Sequence, residues 1–325
     1  IFLLIIKVGS KILITGGLGY IGGRVSQYLA KKSSYILRIS TRNTSESIPN
    51  WLGNGELVNI DLSSEENLNA ACSGVDSIIH LAAINEIDCF KNPELGITVN
   101  SLGTMKLLGA AIEAGVRRFI YISTAHVYGS PLTGVLSEEN LVRPQHPYAI
   151  SHKMAEDFVL AAHDTGQIDS VVLRLSNGFG CPERENINRW TLIVNDLCRQ
   201  AVTRKKLVLN TSGMQMRDFI TLEDISRAIE HVLLINKRDT FNGLFNLGGE
   251  NTMKIMDMAN IIKDRSSKVL NLELKIECKK IEKEESLSKL EYNINKIKST
   301  GFRLKSNHIR EIDNTLIFCQ KMFNP

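Results

Sequence analysis

Short apolar runs alternate with longer stretches of helical period through the first half of the chain. The runs Ile12–Thr15, Tyr35–Ile39, Leu57–Ile60, Ser77–Leu81, Phe119–Ser123 and Val171–Leu175 are rich in Ile, Val and Leu. They have no polar face, as strands covered by helices on both sides of a parallel sheet require. Residues 20–31, 64–72, 94–114 and 148–165 between them carry helical patterns. The alternation predicts an α/β fold with a doubly wound parallel sheet. After Arg174 the segments shorten. Turn signals stand at Asn177-Gly178 and Gly180-Cys181-Pro182, then a helix near 188–203 and a strand at Leu207–Leu209. The pattern predicts a first domain over 1–175 and a smaller mixed lobe over 176–325, with about 214–248 returning to the first domain. Lys and Glu crowd residues 263–298, which reads as a solvated helix face.

The first run breaks into glycines at Gly16, Gly19 and Gly22 before the first helical stretch. Strand, tight glycine turn and helix form the context in which a dinucleotide is held. Gly16 admits backbone angles closed to other residues. Gly19 lets the main chain approach a pyrophosphate, and Gly22 lets the helix pack close to the sheet. The helix N-terminus then offers free amides to phosphate. Taken alone, the spacing also suits an ordinary glycine-rich turn.

Composition narrows the classes. The chain has 325 residues, 43% hydrophobic and 23% charged, with a net charge of +4 spread thinly. No basic block suggests nucleic acid. Six scattered cysteines without a C-x-x-C pair argue for reduced thiols in a cytoplasmic protein and against a zinc site. The apolar run Ile1–Ile6 is too short to span a bilayer. It reads as an extension leading into the first strand, so no membrane is expected.

Further constellations follow the glycine turn. Asp61 ends a strand and suits an adenine amino group, or caps the next helix. The strand Ile78–Ala83 ends in small residues, with Leu81, Ala82 and Ala83 leaving room for a flat ring or ribose. His80 within it reads as a satisfied core histidine. The strand Ile122–Gly129 delivers Ser123 and Thr124 to the sheet's C-terminal edge, where ligands bind in open α/β sheets. Pro147 marks a helix start, placing Tyr148 in the first turn facing the crevice. A hydroxyl and a phenol make an acid–base pair for a sugar or ketone oxygen.

These segments, in this order, resemble the extended short-chain dehydrogenases/reductases of the NAD-dependent epimerase/dehydratase family, from about Lys11 onward. T-G-G-L-G-Y-I-G, H-L-A-A, V-N-S-L-G-T, S-T-A-H-V-Y-G, L-R-L-S-N-G-F-G, M-R-D-F-I and F-N-L-G-G each match a family segment. The resemblance implies a Rossmann domain of the extended type and a nucleotide-sugar substrate. It implies cofactor contacts from Gly16, Gly19, Tyr20, Ile21, Gly22, Asp61, Leu62, Leu81, Ala82, Ala83 and Asn100. It places Thr124 and Tyr148 at the catalytic positions, and Asn177 and Arg217 on the substrate diphosphate. For Arg217 the alternative is an ion pair with Asp218 or Asp224. The resemblance also implies a homodimer through helices 94–114 and 148–165.

Three departures matter. The family's Y-x-x-x-K pattern has His152 at the lysine position, with Lys153 one residue on. Successive helix residues point about 100° apart, so only one of the two faces the crevice in a regular helix. Either the helix is distorted and Lys153 enters, or His152 takes the role. Second, the acid expected roughly 20 residues after the glycine turn is missing. Ser40 stands there, with Arg42 beyond it. A hydroxyl and a guanidinium suit a 2′-phosphate, which favours NADP over NAD. The alternative is a solvated loop arginine. Third, Ala125 and His126 follow Thr124, where the family's 4,6-dehydratases carry Asp-Glu, which argues against dehydration. The expectation is an NAD(P)-dependent nucleotide-sugar epimerase or 4-ketoreductase without a metal. The alternatives are an NADP-binding sensor with weakened catalysis and a reductase of a non-nucleotide carbonyl.

Overall fold

The computed structural model describes residues 9–43, 45–278 and 289–324. The run Ile1–Ile6 lies outside them. In chain order the first half comprises β1 (Ser10–Thr15), α1 (Tyr20–Ala30), β2 (Tyr35–Thr41), β3 (Glu56–Asn59), α2 (Glu65–Cys72), β4 (Ser77–His80) and α3 (Glu86–Lys91). Next come α4 (Pro93–Gly96), a π-helical turn at Ile97–Leu102, α5 (Gly103–Glu113), β5 (Arg118–Thr124), β6 (Gly134–Leu136), α6 (Pro147–Asp164) and β7 (Asp169–Leu175). The second half holds β8 (Asn177–Phe179), α7 (Ile193–Arg204), β9 (Lys206–Leu209), β10 (Met216–Thr221), α8 (Leu222–Leu234), β11 (Leu244–Leu247), β12 (Thr252–Lys254) and α9 (Ile255–Leu270). It ends with β13 (Lys275–Cys278), β14 (Leu290–Tyr292), α10 (Asn295–Ser299) and α11 (His308–Phe323).

Seven parallel strands form the main sheet in the order β11-β7-β5-β4-β1-β2-β3. Alternate residues of each inner strand serve opposite faces. Ile12, Ile14, Ile79, Ile120, Ile122, Val171 and Leu173 enter one apolar cluster. Leu13, Ile78, Phe119, Tyr121 and Val172 enter another. This is the doubly wound sheet predicted from the absence of polar faces. A third cluster, built on α7, α9 and α11 around Phe179 and Phe219, is the core of the smaller lobe. A three-stranded sheet, β12-β10-β8, stands beside it.

The stretch 263–298 is not one helix face. α9 ends at Leu270, β13 pairs in parallel with β9, and β14 pairs in parallel with β6. Residues 279–288 lie outside the described residues. The helix expected near 188–203 starts at Ile193, because Trp190 just before it is buried against Phe318 and Phe323. The stretch Pro93–Glu113 is long and apolar enough to cross a membrane, but half of its apolar window is buried in the fold.

Candidate active site

The C-terminal ends of the main strands border a crevice of about 950 Å³. At its floor the chain leaves β1 through the glycine turn. Gly16 has φ +66°, and a Cβ there would sit 2.8 Å from the Ala82 nitrogen. A Cβ on Gly22 would overlap the Gly16 carbonyl. A Cβ on Gly19 would meet only that carbonyl, at 3.1 Å, and otherwise open crevice. Gly19 is the N-cap of α1 and brings no capping side chain, so the first amides of an 11-residue helix face the crevice uncapped. This cradle fits a pyrophosphate.

Most of the expected cofactor residues line the crevice: Gly16, Gly19, Tyr20, Ile21, Gly22, Ser40, Arg42, Asp61, Leu62, Leu81, Ala82, Ala83, Tyr148 and His152. Some have duties the sequence did not show. The Tyr20 hydroxyl donates to the Gly180 carbonyl at 3.0 Å and accepts from Asn195, so it ties the two lobes. The Ser40 hydroxyl accepts from the Gly16 amide at 3.2 Å. Asp61 is exposed, and Ser63 holds its carboxyl below the usual range through two hydrogen bonds. The cap of α2 is Ser64. Arg42 is exposed and pairs with no carboxylate among the described residues.

Asn100 is not among the residues that line the crevice. It is 1% exposed and stands behind the crevice wall. Its amide accepts from Ile84 N at 2.8 Å and donates to Ile84 O and to Ser151 Oγ. The π-helical turn at Ile97–Leu102 carries it there, an irregularity that often accompanies functional sites. His80, as expected, is a satisfied core histidine. Its ring nitrogens meet Thr15 Oγ1 at 2.5 Å and Thr104 Oγ1 at 2.9 Å, and burial pushes its pKa down to about 3.

Pro147 opens α6 at its first position, and the His146 side chain caps the Tyr148 amide at 3.2 Å. Tyr148 is half-buried, and its ring meets the His152 ring edge-on at 4.4 Å. Burial and the Glu86 carboxylate raise the Tyr148 phenol above its usual value, partly offset by Arg189. α6 is a regular helix through both candidate positions. His152 therefore enters the crevice wall, while Lys153 forms an ion pair with Asp157 on the next turn and is not part of the crevice lining. Burial pushes the His152 imidazole down to about 3, so it is uncharged at neutral pH.

Thr124 ends β5, 6% exposed, with its hydroxyl capping the His126 amide at 3.2 Å. Its neighbour Ser123 lines the crevice and donates to Glu156 at 2.5 Å. Glu156 is fully buried in a bidentate pair with Arg174, which also reaches the Tyr128 hydroxyl. Neither member of that pair stood out in the sequence as a partner of the other. Asn177 donates to the Asp218 carbonyl at 2.9 Å. Asp218 and Asp224 are occupied elsewhere: Asp218 accepts from Gly249 and Asn251, and Asp224 pairs with Arg227. Arg217 therefore has no carboxylate partner among the described residues, and burial lowers its pKa.

A strap from the smaller lobe closes the far side. Glu183 accepts from Trp51 at 2.6 Å, Arg184 pairs with Glu46 at 2.5 Å, and Arg189 pairs with Glu86 at 3.3 Å. Arg184, Asn186, Ile187, Asn188 and Arg189 all border the crevice. Sequence reasoning missed these residues, because nothing in a local pattern announces contacts between segments so far apart.

Known proteins share the fold and family of this chain. The sequence profile of the NAD dependent epimerase/dehydratase family matches residues 12–248. A dTDP-glucose 4,6-dehydratase of Streptomyces niveus is 28% identical over 267 residues, covering 78% of this chain and 76% of its own. The low-salt glycan biosynthesis protein Agl12 of Haloferax volcanii is 26% identical over 260 residues, covering 76% and 81%. The solved structure of the epimerase Mth375 from Methanothermobacter thermautotrophicus superposes with a TM-score of 0.81 at 23% identity, covering 97% of this chain and 94% of that one. With the glycine cradle, the Tyr148 helix and strands β10 and β11 falling inside the matched span, the chain belongs to the NAD-dependent epimerase/dehydratase family.

Proposed function

We propose that the protein exchanges a hydride and a proton at C4 of a nucleotide sugar, reducing a 4-keto sugar or epimerising a C4 hydroxyl. The observation that carries this reading is Tyr148 in the first turn of α6, set against His152 in a crevice floored by the glycine cradle. When bound, the nicotinamide supplies or accepts the hydride. Tyr148 gives its phenolic proton to the C4 carbonyl oxygen in reduction and takes a proton from the C4 hydroxyl in oxidation. Thr124 holds that oxygen, His152 Nε2 serves a cofactor hydroxyl, and Asn177 and Arg217 serve the substrate diphosphate.

Reduction is the first reading. A phenol works as a base at neutral pH only with a cation beside it. Here Lys153 is held by Asp157 and His152 is uncharged, so Tyr148 starts as a proton donor. Epimerisation is the second reading, because the same Tyr–Thr pair serves both directions. Dehydration is disfavoured, since Ala125 and His126 offer no carboxyl pair beside Thr124. Incubation with UDP- and dTDP-linked 4-keto sugars and 4-hydroxy sugars tests the reading. NADPH consumed by a 4-keto sugar, or interconversion of C4 epimers, is expected. Firm cofactor binding with neither reaction would leave the sensor alternative, and turnover confined to non-nucleotide ketones would overturn the nucleotide-sugar assignment.

NADP(H) is the favoured cofactor. Arg42 carries a guanidinium without a carboxylate partner among the described residues, at the end of β2 beside Ser40, where an acid for the ribose of NAD is missing. Arg42→Ala is expected to weaken NADPH binding about tenfold or more and NADH binding little, as loss of a charge-assisted contact implies. Fluorescence titration of both cofactors measures it, and a wild-type preference for NADH would refute the assignment. A homodimer is supported by the apolar residues that α4, α6 and the π-helical turn between α4 and α5 leave exposed, among them Leu95, Ile97, Leu102, Ile150, Met154 and Phe158. The particle mass in solution decides it, a monomer ruling it out.

A further inference from the structure

His152 has two distinct nitrogens. Nδ1 lies 2.7 Å from the Tyr121 hydroxyl, and Nε2 is buried with no hydrogen-bond partner among the described residues, although the residue lines the crevice. Tyr121 comes from the middle of β5 and is 2% exposed. Its ring stacks on His152 at 5.7 Å and on His80 at 5.8 Å. Both nitrogens of His80 are already taken by Thr15 and Thr104. The hydrogen bond between Tyr121 and His152 has two possible directions. If Nδ1–H donated to the phenol, the buried Tyr121 O–H would need another acceptor, and among the described residues His152 is the one hydrogen-bond partner it has. If the phenol donates to Nδ1, the Tyr121 proton has its acceptor, and the neutral imidazole carries its hydrogen on Nε2.

We propose that Tyr121 is a positioning residue that fixes His152 as the neutral Nε2–H tautomer, presenting a single uncharged donor to the crevice one turn along α6 from Tyr148. The destination of that donor, a hydroxyl of the bound dinucleotide, rests on the functional reading above. The tautomer does not. Lysine at this position would bring a charge as well as donors. The Tyr121–His152 pair keeps the donor and drops the charge, which agrees with a site tuned to give a proton.

Nitrogen-15 NMR of the intact, cofactor-free protein labelled at histidine tests the tautomer directly, with His152→Gln assigning the resonance. The expected wild-type signal at neutral pH is that of an Nε2–H imidazole. Tyr121→Phe is expected to shift it toward Nδ1–H or a mixture and to weaken cofactor binding about fivefold. In the His152→Gln background Tyr121→Phe should add no further loss. An Nδ1–H wild-type signal overturns the proposal without any variant. So does a Tyr121→Phe protein that folds and keeps the Nε2–H signal. If the tautomer is as stated but no dinucleotide binds, the functional reading fails and the Tyr121 assignment stands.

Discussion

Tyr148→Phe is expected to lower turnover by about 10²- to 10⁴-fold, the usual contribution of a positioned acid–base group. The substitution removes one oxygen and keeps the ring that packs edge-on against His152 at 4.4 Å. Cofactor affinity should therefore stay within about threefold, which is less than 1 kcal/mol. The sign of the pH dependence follows from the raised phenol. Burial and Glu86 keep Tyr148 protonated through the neutral range, so the reductive rate should stay flat between about pH 6 and 9. The oxidative rate should climb across the same range, because it needs the phenolate. Steady-state kinetics in both directions, with a cofactor titration beside them, measure all of this. A Tyr148→Phe enzyme that keeps more than about a tenth of wild-type turnover would remove Tyr148 from the proton path.

Gly19→Val is expected to weaken dinucleotide binding by at least about 100-fold, or ~2.7 kcal/mol, while the protein stays folded. Gly19 has φ −76° and ψ −171°, an extended conformation that valine adopts readily. Its new side chain would meet the Gly16 carbonyl and then project into the crevice that the uncapped amides of α1 face. The fold loses only a glycine cap, roughly 1 kcal/mol. Gly22 is the wrong probe for this purpose. Its Cβ would overlap backbone, so loss of binding there would report a broken turn. Unchanged affinity in the folded Gly19→Val protein would move the dinucleotide elsewhere.

The sheet was legible because its strands lie between two helical layers. Leu13 faces one apolar cluster while Ile12 and Ile14 face the other, so the run carries no polar face. The glycine turn was legible because steric exclusion is local: Gly16 and Gly22 answer to backbone within the turn and the neighbouring strand end. The identity of the helix neighbour that faces Tyr148 was half legible. Periodicity says that only one of residues 152 and 153 can enter, and Asp157 one turn on is what draws Lys153 away. What joins distant segments was not legible. Glu156 finds Arg174, Tyr121 finds His152, and Arg184 finds Glu46 only after strands and helices are placed. The short strands β13 and β14 were lost for the same reason, since three or four residues carry no period of their own and take their form from β9 and β6.

Arg24, one turn past the glycine cradle, pairs at 2.8 Å with Glu311 of the last helix and also donates to the Cys181 carbonyl. β11, residues 244–247, is likewise the edge strand that covers β7. A chain made from its N-terminus thus completes the glycine turn first and its supports last. Until α11 emerges, the helix that offers its amides to phosphate carries a guanidinium without its carboxylate. Contacts of such long sequence separation are slow to close, and an uncovered strand edge can pair wrongly in the meantime. Assembly, rather than chemistry, is where this architecture is most exposed to error.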